Sequence, residues 1–283
     1  MTSINVIFVA VAKPTPTQTV TMNCKICGTQ TRKVFDTQVL YKYQVDYFQC
    51  PSCEFGQTEK PYWLEEAYIS SMNLSDTGVM QRSERMSKIC TSLICLFFKT
   101  KGKFLDYAGG YGVFTRAMRD IGFDFYWTDP YTKNVIARGF DGSLDDRYQA
   151  VTTFESFEHF DDPMAEVEKI LKLTDTIILT TDVSPTLPID KNWWYIAAEH
   201  GQHIAFHSRK SFQVMAEKFG LHYYNTRNVH ILTRRKFGWL ASLFFKFPFA
   251  KHMLYLGYFL FCPFLKSKSV DDMNSFYQKK QTA

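Results

Sequence analysis

The sequence has no strong excess of charge of either sign. It carries 33 Lys and Arg against 28 Asp and Glu in 283 residues, a formal net charge of +5. Proteins that bind nucleic acid usually present a basic patch or stripe to the phosphates. No such stripe is evident in the sequence, so nucleic acid is not an expected partner. One basic cluster, Arg234-Arg235-Lys236, is interpreted as a solvated loop, with a phosphate or anionic-lipid contact as the alternative.

Long apolar runs are also missing. Residues 237–265 are unusually apolar, but Lys246, Lys251 and His252 interrupt them, and the uncharged stretch that follows covers only residues 253–265. That stretch is shorter than the roughly 20 residues that a bilayer-spanning helix needs. We therefore predict a helix pair that packs on the domain or covers the site. Peripheral contact with a membrane surface is the alternative.

The N-terminus lacks the basic region that opens a secretory signal peptide. Residues 4–12 are apolar and end in Ala10-Val11-Ala12, which is similar to a signal-peptidase site, but the apolar run is short. We predict that residues 1–21 are a disordered extension and that the ordered protein begins near Met22. The cysteine pattern favours the cytoplasm over export, because exported thiols tend to oxidise and would lose a metal.

Four of the seven cysteines form two Cys-x-x-Cys pairs, Cys24 with Cys27 and Cys50 with Cys53. Each pair can supply two thiolates to a tetrahedral zinc ion from one tight turn. Because sulfur fills all four positions, no position is left for a reactive water, and the zinc is predicted to be structural. A pair of redox-active motifs is the alternative. Residues 22–60 are predicted to be a small β-rich zinc module.

The remaining chain changes from a helical to a mixed pattern. Residues 61–102 have helical spacing and are predicted to be a helical linker. In residues 103–236, short apolar runs alternate with amphipathic stretches, which is typical of βαβ units. The predicted fold class is α/β: a Rossmann-like, mostly parallel sheet with helices on both faces, preceded by the zinc module. Residues 237–283 are predicted to be the apolar helical segment followed by a polar, exposed tail.

A glycine-rich turn follows the first predicted strand of the α/β region. It reads Asp106-Tyr107-Ala108-Gly109-Gly110-Tyr111-Gly112 and opens into a predicted helix. Glycines lack the Cβ atom that would keep a ligand away from the backbone, and the helix presents its N-terminus at the same place. Asp129 stands 23 residues beyond Asp106, at the end of the next predicted strand. A carboxylate in that position can accept both hydroxyls of a ribose.

Two details of this loop favour S-adenosylmethionine over NAD. A dinucleotide fingerprint has Gly or Ala where Thr115 stands, and the Asp106 carboxylate would repel phosphates but attract an ammonium or sulfonium group. The loop resembles the first motif of class I methyltransferases, Asp-x-Gly-x-Gly-x-Gly, with Ala108 as its one departure. The resemblance implies that S-adenosylmethionine is the cofactor, that Asp129 binds its ribose, and that Phe140 or Asp141 lies near its adenine.

A second segment is also similar to these enzymes. Residues 154–163 match the Phe-Glu-x-x-Glu-His-x-x-x-Pro segment of many small-molecule methyltransferases and follow a predicted parallel strand, at whose carboxyl end ligands bind. Glu155 is predicted to lie on the cofactor side. Glu158 and His159 either belong to the site or cap the next helix. The Asn/Asp-Pro-Pro-Tyr motif of amino-directed nucleic-acid methylases is absent at this point.

The densest cluster of titratable and aromatic groups lies at residues 193–208, where His200, His203 and His207 fall within eight residues. Histidine titrates near neutral pH and suits a general base that takes a proton from the acceptor. A metal site and a structural role are the alternatives. Residues 22–230 resemble bacterial methyltransferases of sugar and polysaccharide biosynthesis, including nucleotide-sugar C-methyltransferases.

In those C-methyltransferases a Tyr-x-Glu-His segment stands where this chain has His200, Gln202 and His203. Only the final histidine agrees, so His203 is the first candidate for the base and His200 the second. The resemblance implies a sugar or nucleotide-sugar acceptor, methylated on oxygen or carbon.

Three classes of function follow from these patterns. A methyltransferase that acts on a small, sugar-type molecule is favoured, because the chain has neither a basic stripe nor the nucleic-acid methylase motif. The alternatives are an RNA or protein methyltransferase that docks through the zinc module, and a non-catalytic protein that binds S-adenosylmethionine. Asp106 and Asp129 are both present, which disfavours the last class. The sequence gives no indication of oligomeric state.

Overall fold

The computed structural model describes residues 22–69 and 76–281, so the predicted extension at 1–21 lies outside the described residues. The front part contains the strands β1 (Arg32–Val39), β2 (Tyr43–Gln49) and β3 (Gly56–Thr58) and the helices α1 (Leu64–Ala67) and α2 (Val79–Phe97). The central part contains β4 (Lys103–Tyr107), α3 (Val113–Ile121), β5 (Asp124–Thr128), β6 (Ala150–Phe154), α4 (Pro163–Leu173), β7 (Thr176–Thr180), β8 (Ala205–Phe206), α5 (Arg209–Lys218), β9 (His222–Thr226) and β10 (Val229–Thr233). The last part contains α6 (Trp239–Lys246), α7 (Ala250–Phe261) and α8 (Ser269–Gln281).

The main sheet has six strands in the order β5-β4-β6-β7-β10-β9. The strands β5, β4, β6 and β7 run parallel, and β10 is antiparallel to both of its neighbours. Every residue of β7, Thr-Ile-Ile-Leu-Thr, is buried, as expected for a central strand covered on both faces. The predicted α/β, Rossmann-like fold class is confirmed.

Helices cover both faces of this sheet. One core contains Val167 of α4 and Phe212 of α5, and the other contains Leu93 of α2 and Met118 of α3. The predicted linker therefore contains, in α2, a helix that belongs to the layered fold. Its partner across the layer is α7, where the Ser92 hydroxyl donates a hydrogen bond to the Leu254 carbonyl over 2.6 Å.

The cysteine-rich front part forms a second, antiparallel sheet in the order β1-β2-β3-β8. Its fourth strand comes from far along the chain, because Gly56 pairs with Phe206 and Gln57 with Ala205. The buried indole of Trp63 donates to the Gly201 carbonyl over 2.8 Å. The front sheet is therefore joined to the segment that carries the predicted acceptor-site histidines.

The C-terminal tail differs from the polar, exposed segment expected from the sequence. Its helix α8 packs against α3, where the Asp272 carboxylate accepts hydrogen bonds from the Arg119 guanidinium over 2.9 and 2.7 Å. Asp272 is only 7% exposed and Arg119 only 4%. A buried guanidinium requires charged partners, which here are Asp272 of the tail and Asp124 at the start of β5. Among the described residues, no helix is both long and apolar enough to cross a membrane.

Candidate active site

The glycine turn between β4 and α3 has three residues in the left-handed region. Ala108, Gly110 and Gly112 have φ angles of 55°, 54° and 84°. A Cβ atom built on Gly112 would lie 2.8 Å from Asn134 Oδ1, so this glycine is required by the segment that covers it. A Cβ atom on Gly110 would meet nothing within 4 Å. The backbone at Gly110 is therefore open to a ligand.

Asp106, the last buried residue of β4, lies directly beneath this turn. Its two carboxylate oxygens accept hydrogen bonds from the hydroxyls of Thr115 and Thr152, each over 3.1 Å. A Cβ atom on Gly109 would lie 2.7 Å from Asp106 Oδ2. Burial raises the pKa of Asp106 to about 7, although the two hydroxyl hydrogen bonds act in the opposite direction. A cation bound near the turn would therefore favour the ionised carboxylate.

Asp129 follows the adjacent strand β5 and holds the turn from its other side. Its Oδ2 accepts a hydrogen bond from the Gly110 N–H over 2.9 Å, and its Oδ1 accepts from the N–H groups of Tyr131 and Thr132 over 2.8 and 2.9 Å. The Trp127 indole donates to the Gly110 carbonyl over 2.9 Å. The structure thus brings together the two carboxylates and the glycine turn, as predicted.

Phe140 and Asp141 lie at the free edge of β5, where Asp141 forms an isolated parallel bridge with Trp127. The Asp141 carboxylate accepts a hydrogen bond from Asn134 Nδ2 over 3.2 Å. The Phe140 ring has the Arg119 guanidinium 3.7 Å from its centre and packs against Phe276 of α8. Their position near an adenine stays a prediction, and the ring of Phe140 already has packing partners.

Glu155 and Glu158 follow β6 on the same edge of the sheet as the glycine turn. Glu155 has a φ angle of 48°, and its Oε2 accepts a hydrogen bond from the Tyr195 hydroxyl over 3.4 Å. Helix α4 is capped by Asp162, whose Oδ1 accepts from the Ala165 N–H over 3.0 Å. Glu158 and His159 are thus not the caps of this helix, and they face the segment that carries His203.

The Glu158 carboxyl group is 1% exposed, and neither of its oxygens has a hydrogen-bond partner among the described residues. Burial, together with the nearby charge of Glu155, raises the pKa of Glu158 to about 8, although the nearby hydroxyls of Tyr195 and Thr181 act in the opposite direction. Buried polar groups in proteins are nearly always hydrogen-bonded, so an exception of this kind needs a functional explanation.

Two of the three predicted acceptor-site histidines lie together, and they are joined by His159. The centre of the His203 ring lies 5.0 Å from the centre of the His159 ring and 4.9 Å from that of the His200 ring. His203 Nδ1 lies 2.7 Å from the Tyr195 carbonyl oxygen, which can only accept, so Nδ1 carries the proton and Nε2 has a free lone pair. Burial, with a smaller effect of the other histidines, lowers the pKa of His203 well below its usual range.

His207, the third histidine of the segment, does not join this group. Its Nε2 lies 3.3 Å from the Phe157 carbonyl, and its ring stacks on that of Phe212 with centres 4.6 Å apart. Tyr68 is a further residue at this site that was not predicted. Its ring is stacked with that of Tyr131 and lies edge-on to that of His159. No local sequence signal could have identified it, because Tyr68 reaches the site from the front part of the chain.

The four predicted zinc ligands form one compact cluster. The Sγ atoms of Cys24 and Cys53 are 3.4 Å apart, as are those of Cys27 and Cys50, and all four sulfurs lie within 4.8 Å of one another. Four sulfurs around zinc are about 3.8 Å apart, given a Zn–S distance of about 2.3 Å. The hydrogen bond between Cys24 and Cys53 lowers the pKa of the Cys24 thiol to about 5 and, together with burial, raises the pKa of Cys53, so this contact favours one thiolate of the pair.

A parallel sheet with a glycine turn after one strand, and a carboxylate at the end of the next, is the framework of the S-adenosylmethionine-dependent methyltransferases. A family model described as a methyltransferase domain matches residues 80–226, and the chain belongs to this family. The protein is therefore an S-adenosylmethionine-dependent methyltransferase. No curated protein has a sequence that matches the chain.

Several solved structures are similar to the chain at low identity. Magnesium protoporphyrin IX methyltransferase from Synechocystis PCC 6803 with bound SAH is 15% identical, with 60% of this chain and 90% of that chain covered and a TM-score of 0.41. A possible histamine N-methyltransferase from Thermotoga maritima is 11% identical, with 61% and 99% covered and a TM-score of 0.44. The plantazolicin methyltransferase BpumL in complex with SAH is 12% identical, with 62% and 95% covered and a TM-score of 0.45.

Proposed function

We propose that this methyltransferase acts on a small, sugar-type acceptor and transfers the methyl group to one of its hydroxyl oxygens. The observation that supports this most directly is the free lone pair of His203 Nε2, whose half-buried ring lies 5.0 Å from that of His159, just after β6. A hydroxyl group must lose its proton as its oxygen attacks the methyl carbon. An imidazole with one protonated and one free nitrogen can take that proton.

In this proposal the cofactor lies along the turn between β4 and α3. Asp129 accepts the ribose hydroxyls with the lone pairs that its backbone contacts leave free, and the open backbone at Gly110 allows close approach. Asp106 provides negative charge beneath the cationic part of the cofactor. Asp141, with Phe140 as its neighbour, is assigned to the adenine end, and Glu155 to the methyl-donor end.

His203 is the proposed proton acceptor, and His200 is the second candidate. The Tyr195 carbonyl fixes the His203 tautomer, whereas His200 Nδ1 accepts a hydrogen bond from the Gln202 N–H over 3.2 Å. Because Nδ1 of His200 accepts this hydrogen bond, Nδ1 is the unprotonated nitrogen of the neutral ring and Nε2 carries the proton. A protonated Nε2 cannot take a proton from the acceptor, which favours His203 as the base.

We further propose that the four cysteines bind one structural zinc ion. The Ser208 hydroxyl donates to the Cys53 carbonyl over 3.0 Å, and β3, which follows Cys53, pairs with β8. The metal would therefore stabilise the segment that positions His203. A reducing compartment such as the cytoplasm would keep the four thiols available to the metal.

An acceptor screen with methyl-labelled S-adenosylmethionine tests the function. Purified full-length protein is incubated with nucleotide sugars, free sugars, total RNA and a protein extract, and the labelled product is identified by mass spectrometry and NMR. We expect label in a sugar-containing small molecule, as an O-methyl group. Label on ring carbon would assign the chemistry to C-methylation. Label only in RNA or protein would refute the proposed acceptor class, and cofactor binding without transfer to any of them would favour a non-catalytic protein.

A further inference from the structure

Three groups near the predicted acceptor site lie close together. Glu158, His159 and His203 each offer one possible ligand atom, and these atoms lie within 4.8 Å of one another. His159 Nε2 is 4.0 Å from Glu158 Oε1. Two of the residues follow β6, whereas His203 comes from the segment before β8, so tertiary folding brings them together.

Both histidines are oriented as metal ligands usually are. His159 Nδ1 lies 3.0 Å from the Gln202 carbonyl oxygen and His203 Nδ1 lies 2.7 Å from the Tyr195 carbonyl oxygen. A carbonyl oxygen only accepts, so both Nδ1 atoms carry protons and both Nε2 atoms have free lone pairs. Backbone carbonyls that fix the tautomer in this way are the common outer partners of metal-bound imidazoles.

The third group, Glu158, is buried without any hydrogen-bond partner among the described residues. A buried carboxylate without a close hydrogen-bond partner is costly to ionise, and the Tyr195 and Thr181 hydroxyls nearby offset only part of that cost. A cation between this carboxylate and the two Nε2 atoms would satisfy all three groups at once.

We propose that Glu158, His159 and His203 bind a divalent cation that also binds the acceptor hydroxyl. Two imidazoles and one carboxylate favour a first-row transition metal such as Mn²⁺, Fe²⁺ or Zn²⁺ over Mg²⁺ or Ca²⁺, which prefer oxygen ligands. Adjacent ligands at about 2.1 Å from a metal are about 3 Å apart. A small rotation of side chains would therefore be enough to close the site around the ion.

This inference rests on the proposed O-methylation of a sugar-type acceptor, and it replaces the proposed role of His203 as proton acceptor with that of a metal ligand. The ion would lower the pKa of the bound hydroxyl, whose proton leaves to solvent. The resulting oxygen attacks the methyl carbon, the carbon–sulfur bond breaks, and its electron pair stays on sulfur to give S-adenosylhomocysteine. His203 is then a ligand that positions the acceptor rather than the group that takes its proton.

Manganese binding tests the site without an acceptor. The full chain carrying one zinc per chain, as expected for the cysteine cluster alone, is titrated with Mn²⁺, and free Mn²⁺ is measured by electron paramagnetic resonance. We expect one Mn²⁺ per chain, binding at least tenfold weaker in the Glu158→Gln and His159→Ala variants and unchanged in His222→Ala, a control at an exposed histidine. Zinc content and S-adenosylhomocysteine affinity should be unchanged in all of them.

Two results would overturn the metal site: absence of Mn²⁺ binding to the wild-type protein, or equal binding to wild type and both site variants. The wild-type titration is informative even if a variant fails to fold. Loss of the proposed acceptor class would instead appear in the screen of labelled products, so the two failures are distinguishable.

A separate observation concerns the helices α6 and α7, whose outer sides are apolar. Ten large apolar side chains between residues 239 and 264 are at least half exposed: Trp239, Leu240, Leu243, Phe247, Phe249, Met253, Leu256, Phe259, Leu260 and Phe264. The inner sides, with Phe245 and Leu254, already pack into the core beside α2. An exposed apolar area of this kind marks an interaction surface.

The charge around these helices indicates which partner fits. Residues 218–270 contain no Asp or Glu, but they contain nine basic residues: Lys218, Arg227, Arg234, Arg235, Lys236, Lys246, Lys251, Lys266 and Lys268. A segment whose own charged residues are all basic and alternate with exposed apolar side chains is typical of the interface of an anionic bilayer, although Arg234, Lys266 and Lys268 already pair with carboxylates from outside this segment. We infer that α6 and α7 attach the enzyme peripherally to such a membrane.

Flotation with lipid vesicles tests this attachment. We expect the full chain to bind vesicles of phosphatidylcholine with 30% phosphatidylserine at least tenfold more strongly than vesicles of phosphatidylcholine alone. Binding should be lost in Leu240→Glu/Leu256→Glu and retained in Leu144→Glu, an equally exposed leucine elsewhere. Equal binding of all variants would refute the surface. A dimer that dissociates in the double variant, without vesicle binding, would assign the surface to a second copy of the chain.

Discussion

Comparison of Gly110→Ala with Gly220→Ala distinguishes a lost cofactor contact from the effect of backbone strain. Gly110 has a φ angle of 54° and a Cβ atom there would meet no protein atom within 4 Å. The same is true of Gly220, at a φ angle of 65° after α5, where no cofactor is expected. Alanine in the left-handed region costs about 1 kcal/mol relative to glycine. Both variants should therefore lose about 1 kcal/mol of unfolding free energy and melt about 2–4 °C lower.

Only Gly110→Ala should weaken cofactor binding. If S-adenosylmethionine packs on the open backbone, the added methyl group overfills that contact at a cost of about 1–3 kcal/mol. This cost corresponds to a dissociation constant about 5- to 150-fold higher. Titration calorimetry with S-adenosylhomocysteine measures the effect, and thermal melts measure the strain. Wild-type affinity in Gly110→Ala would refute cofactor approach at this glycine, and equal weakening in Gly220→Ala would show that strain alone lowers the affinity.

Three further predictions concern the titrating groups. Because burial raises the pKa of Asp106 to about 7, the affinity for S-adenosylmethionine in calorimetry should increase as pH rises from 6 to 8, and Asp106→Asn should remove this dependence. Cys24→Ser should lose the zinc measured by elemental mass spectrometry, whereas Cys95→Ser, outside the cluster, should retain it; zinc retained in both would show that the ligand set is wrong. His203→Ala should slow methyl transfer about 10²–10⁴-fold with cofactor affinity changed only a few-fold, whereas His200→Ala should have a smaller effect; normal turnover in His203→Ala would make the residue structural. Because the pKa of His203 is lowered, the wild-type rate should fall only below the usual histidine range near pH 6.5.

Features defined by neighbouring residues could be predicted from the sequence. The glycine turn with Asp106, the cysteine pairs and the period of the strands each depend on short spacings, and the structure places the four cysteine sulfurs and the two aspartates where those spacings imply. Buried strands such as β7 are apolar because both faces are covered.

Features that depend on distant parts of the chain could not be predicted in this way. His159 and His203 are separated by more than 40 residues, and only the fold brings His203 to the Glu158-His159 pair. The same reason explains why α8 was predicted to be a polar tail. Its Asp272 carboxylate accepts a hydrogen bond from the buried Arg119, which lies in a distant part of the sequence. The sequence around Arg119 does not predict its partner Asp272, because ion pairs between remote helices leave no periodic pattern.

The pairing of β8 with β3 also determines when the front sheet can be completed during synthesis. All four residues of the cysteine cluster have been synthesised once Cys53 is added. Gly56 of β3, however, pairs on its second edge with Phe206 of β8, which is synthesised 150 residues later. At about 5–20 residues per second, that delay is roughly 8–30 s on the ribosome. Throughout this interval β3 presents an unpaired edge, and its pairing with β2, together with the early cysteine cluster, can hold the strand in place until β8 is synthesised.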